Sequence, residues 1–155
     1  MKRLTLILRY ILHFLGSNSR HGTHSPFVYA LAEQVIYKRG WNTGKATKGY
    51  KRLLSEIADH FEVTYTSMPS DHGKDKALWL TNPQISVEEL VLWQHQFRYI
   101  VLEHIHRSAE DRNRWRSLQG DERFVVTIDL FFFGLVFYRT EQPKQHFKLR
   151  YPFWK

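Results

Sequence analysis

The residues best suited to chemistry are gathered in one short run, Glu103-His104-Ile105-His106. A histidine that titrates near neutrality beside a carboxylate is the pairing used for general acid–base work. Glu103, His104 and His106 are therefore the candidate catalytic residues. Two histidines at i and i+2 leaving a strand can also share a metal ion, but third and fourth ligands are not evident, and no metal is assigned. Asn82, in Thr81-Asn82-Pro83-Gln84, ends another apolar run and is a candidate pocket residue. Arg20, His21 and His24 stand just before Ser25-Pro26, a helix start. Helix N-termini favour anions, so these three are candidate anion ligands; the alternative is that they brace the turn. Gly40 to Thr47 superficially suggests a nucleotide-binding loop. Its spacing is one residue short, Ala46 replaces the required hydroxyl, and no apolar strand precedes it, so that reading fails. With no cysteine in the chain, thiol catalysis, thiolate metal sites and disulfides are excluded together.

The elements that must position these groups follow from periodicity. Met1 to Leu15 predicts an amphipathic helix with Thr5, Arg9 and His13 as a polar stripe. Leu4, Ile7, Leu8, Ile11, Leu12 and Leu15 cover its other side. Three settings suit such a segment: a removed secretory leader, a helix lying in a membrane interface, or a helix docked on its own domain, which is the expectation. A second helix runs from Pro26 to about Lys38, capped by Ser25, and Arg39 to Gly49 is a loop. Tyr50 to Phe61 is the cleanest amphipathic helix.

From Glu62 the period shortens. Val63 to Thr66, Ala77 to Thr81 and Tyr99 to Leu102 predict strands. Ser86 with Glu89, and Ser108 with Asp111, open helices reaching about Phe97 and Gly120. Phe124 to Leu130 and Gly134 to Arg139 predict long apolar strands, with a further one over His146 to Tyr151. Alternating strands and helices imply right-handed crossovers and parallel pairing. The short spacer before Gly134 turns the last strands back antiparallel. The expected fold is a three-layer, Rossmann-like α/β domain with a reduced mixed sheet. Residues 1–61 form a basic helical front and residues 62–155 the core of one globular unit. Phe131-Phe132-Phe133 is read as a buried hairpin corner under the front helices. Beyond the strands' carboxyl ends, where ligands bind open α/β sheets, stand Asn82, Glu103, His104 and His106.

At 155 residues the chain is long enough for one real core. It has no apolar run of the ~20 residues that span a bilayer. The formal charge is +8, and residues 1–61 alone hold 10 Lys or Arg against 3 acids. Such a basic front suits an anionic membrane surface or nucleic acid; a solvated face without a partner is the alternative. No nucleic-acid motif accompanies it.

Two blocks carry a resemblance. Arg20-His21-Gly22-Thr23-His24-Ser25-Pro26-Phe27-Val28-Tyr29 resembles the N-terminal signature of a group of class I S-adenosylmethionine-dependent methyltransferase-like proteins common in Bacteroidetes. Thr127 to Arg139 and Gln145 to Arg150 resemble the end of that family. The middle departs: the family's glycine-rich turn is replaced by Thr66 to Gly73 with one glycine, and Ala77 to Leu80 resembles its fourth strand. The second and third strands are missing. Where the family has two Asp, an aliphatic residue and a His, Glu103-His104-Ile105-His106 keeps only the His and a longer acid.

The resemblance implies a truncated methyltransferase-like protein, without a cofactor, acting as a scaffold or interaction protein in the cytoplasm or at the membrane periphery. One alternative is an active transferase completed by a homodimer through the shortened sheet edge or by a partner chain. It would use S-adenosylmethionine, with Glu103 or His106 as proton acceptor and Asn82 as a contact. The other alternative is a basic adaptor on a membrane surface or nucleic acid.

Overall fold

The computed structural model describes residues 2–17, 25–37, 49–81 and 85–151. Its elements are α1 (Lys2–Leu15), α2 (Pro26–Leu31) continued by a π-helical turn (Ala32–Ile36), and α3 (Tyr50–Phe61). After these come β1 (Thr64–Thr66), β2 (Lys76–Leu80), α4 (Val87–Gln94), β3 (Ile100–Glu103), α5 (Ala109–Gly120), β4 (Val126–Asp129), β5 (Phe133–Phe137) and β6 (Gln145–Lys148). The six strands form one mixed sheet in the order β1-β2-β3-β5-β4-β6. Pairing is parallel except around β5, which runs antiparallel to both its neighbours. The expected α/β fold with N-terminal helices and a C-terminal antiparallel return is the fold observed.

Period-2 alternation divides the strands between two apolar layers. Ala77, Val101, Ile128 and Leu135 face α2 and α3, meeting Leu31, Leu53, Leu54 and Ile57. Leu78, Ile100, Leu102 and Val136 face α4 and α5, meeting Leu90, Trp115 and Leu118. Helix starts follow the local chemistry. Ser86 and Ser108 each accept from the backbone N–H three residues on, while Glu89 and Asp111 reach back to the serine backbone. Ser25 caps α2 through Val28 N–H, with Pro26 at the first position. α4 is shorter than its sequence suggests, ending at Gln94, because His95 and Gln96 turn the chain into Phe97.

Between β1 and its parallel neighbour β2 lie only residues 67–75, with no helix among them. Parallel strands are usually joined by a helical crossover of a dozen residues or more. Here the connection is pinned instead: Lys74 Nζ donates to the carbonyls of His95 and Phe97, and Lys76 pairs with Asp71.

The first helix docks on the domain with the opposite side inward from the one its amphipathicity suggests. Leu6, Tyr10, His13, Phe14 and Ser17 face the domain, whereas Leu4, Leu8 and Leu12 are exposed. The reason is specific rather than hydrophobic: His13 pairs with a buried carboxylate, and Tyr10 hydrogen-bonds the carbonyl of Tyr151 and packs on Phe131 and Phe132. No described helix is long and apolar enough to cross a membrane.

Candidate functional site

Asp129 ends β4 beside the buried corner between β4 and β5. It is an acid in the most apolar stretch of the chain, and it is only 5% exposed. A buried carboxylate must be paired and hydrogen-bonded, and this one accepts four N–H donors. His13 Nε2 (2.9 Å) and the Phe131 backbone (2.9 Å) donate to Oδ1. His106 Nε2 (2.7 Å) and Trp115 Nε1 (3.1 Å) donate to Oδ2. Burial by itself pushes the Asp129 carboxyl up; the hydrogen bonds and charges of His106 and His13 more than offset that and hold it far below the usual carboxylate range. It is therefore an anion, and both imidazoles present N–H rather than a lone pair.

The hairpin corner is built around the same group. Phe131 has φ +71°, a left-handed conformation unusual for an aromatic residue. The Asp129 carboxylate on its own N–H, an Asx-type turn, holds it there. Its ring stacks on His106 at 5.2 Å and meets His13 edge-on at 5.4 Å. Gly134, in the register position opposite Asp129, leaves room for Trp115: a Cβ there would lie 2.5 Å from the indole ring.

His13, His106 and Asp129 place one ligand atom each within 4.8 Å of one another, the donor set of a zinc or non-haem iron site. A cation entering here would have to displace a proton from each imidazole and take oxygen lone pairs that already accept Trp115 and Phe131. Ser17 extends the chain of contacts, its Oγ lying 3.1 Å from His13 Nδ1. A serine, a histidine and an aspartate in that order form a nucleophilic relay. Ser17, however, is only 4% exposed, and its hydroxyl also turns back onto the His13 carbonyl. As arranged, the cluster is a fastener: it ties α1 to the carboxyl ends of the strands.

Of the residues singled out from sequence, His106 is in this cluster. Glu103 is buried on the other side of β3's end, facing Tyr50, whose phenol is pushed up to about 12 by burial and by that carboxylate. Glu103 Oε1 has no hydrogen-bond partner among the described residues. His104 adopts φ +62°, and its backbone N–H donates to the Phe132 carbonyl at 2.7 Å. His106 converges with His13, their ring centroids 5.7 Å apart, and His104 is not part of that cluster. Asn82, Arg20, His21 and His24 lie outside the described residues.

Sequence reasoning passed over Asp129, His13 and Trp115. The signal for Asp129 was present, because a lone acid inside an apolar strand demands a cationic or N–H partner. Its partner His13 stood 116 residues away, beyond any local pattern. Comparison with family models, with curated proteins and with solved structures returns no match for this chain.

Proposed function

We propose that this chain is a shortened methyltransferase-like shell that works as an interaction module and not as a transferase. One observation carries the reading. At the end of β4 the polar groups are engaged with one another and with α1, four N–H donors converging on Asp129. Both His106 and Asp129 lie in segments compared above with the methyltransferase-like family. The compressed link from β1 to β2 supports the same view, since it provides neither a glycine-rich turn nor a following helix for a dinucleotide-like ligand.

The test is calorimetric titration of the folded chain with S-adenosylmethionine and S-adenosylhomocysteine. No saturable heat with either ligand is expected. Binding tighter than ~1 mM, equivalent to about 4 kcal/mol, overturns the reading and returns Glu103 and His106 to the role of candidate proton acceptors.

A further inference from the structure

The side of α1 turned away from the domain is apolar along its whole length. Leu4, Ile7, Leu8, Ile11, Leu12 and Leu15 are 46–74% exposed. They recur at i, i+3, i+4, i+7, i+8 and i+11, one continuous helix face. They are six of the nine large apolar side chains exposed among the described residues, so the patch is concentrated rather than scattered. The helix cannot roll to bury it without pulling His13 off Asp129.

Cations stand close to this helix. Arg9 lies on α1 itself, and its charge reaches Arg112, which also feels Arg116 and, with opposite sign, Asp111. At the other end Lys148 Nζ stands 3.7 Å from where a Gly16 Cβ would be. Arg150 donates to the Ser17 carbonyl at 2.5 Å, its guanidinium 5.5 Å from the Phe14 ring centroid. α1 contains no acidic residue. A second copy of the chain placed symmetrically on this face would bring two like-charged rims together. An anionic bilayer satisfies both features, with apolar side chains at the acyl boundary and cations among the headgroups.

We propose that α1 seats the domain flat on an anionic lipid surface through its Leu/Ile face, with Arg9, Arg112, Arg116 and Lys148 at the headgroups. This rests on the reading of the chain as an interaction module and names its partner.

The experiment is co-sedimentation of the full chain with vesicles of phosphatidylcholine alone or mixed with phosphatidylglycerol. Affinity for the mixed vesicles is expected to be at least roughly tenfold higher, since each cation near the surface contributes about fivefold, and to fall as salt is raised. Leu8→Glu with Leu12→Glu should abolish sedimentation with both vesicle types. Arg112→Glu with Arg116→Glu should weaken binding only to the anionic ones. Wild-type protein left in the supernatant overturns the proposal, as does a Leu8→Glu/Leu12→Glu variant that sediments like wild type. A lipid-free dimer dissolved by those two substitutions overturns it in favour of a second copy. The outcomes are separable from the calorimetry: heat with S-adenosylmethionine removes the shell reading without touching vesicle binding, and the reverse also holds.

Discussion

At the scale of single residues, Asp129 decides more than any other side chain. Its folded-state carboxyl lies below the value of about 3.9 it has in an unfolded chain. A depressed pKa contributes stability that is present above the unfolded value and lost as pH falls through the folded one. Urea unfolding is therefore expected to show stability declining as pH drops below about 4. Asp129→Asn should remove that part of the decline and lower stability at neutral pH by about 3 kcal/mol, as breaking a buried pair does. An unaltered acid limb in the variant would show that another carboxylate carries it. Gly134 makes the companion case. A methyl group there meets the flat of Trp115 at 2.5 Å, so Gly134→Ala should destabilise by about 1–3 kcal/mol, with a shift in tryptophan fluorescence as the indole leaves Asp129.

At the scale of elements, the helix starts were legible because their chemistry is local. The capping boxes at Ser86 and Ser108 were read from three-residue spacing, and both are made. Ser108→Ala should lower stability by about 1 kcal/mol, measured by denaturant midpoint, with no change in slope. The salt links around Arg123, which grips Glu88 at 2.7 and 2.9 Å, are exposed and should matter far less to the same measurement. Strand positions were legible for a related reason, since buried strands are apolar runs. Their ends moved by one to three residues, and α4 stopped early where the chain had to turn into Phe97. The π-helical turn after α2 left no mark in the periodicity.

At the scale of the whole molecule, α1 is fastened by a polar contact and presents its apolar face outward. Folding and surface binding are therefore separable. Leu8 and Leu12 are 57% and 60% exposed, so Leu8→Glu with Leu12→Glu should leave the melting temperature within about 4 °C of wild type while vesicle binding is lost. A large drop in melting temperature would mean that this face is buried against the protein in solution. The sheet bears on the same scale: its edge strands are β1, of three residues, and β6, of four, and edges that short offer little template for pairing through the sheet.

By itself the sequence determined the α/β alternation, the caps, the buried aromatic corner and the basic front, because each follows from local spacing, burial propensity or charge count. It also marked His106 as a residue near the strand ends. Only the tertiary structure decided which groups His106 meets, since Asp129, Phe131 and His13 come from other parts of the chain. The tertiary structure likewise decided which side of α1 is buried. Amphipathicity ranks faces by hydrophobicity, but one buried carboxylate that must find N–H donors outweighs six leucines and isoleucines that can rest elsewhere.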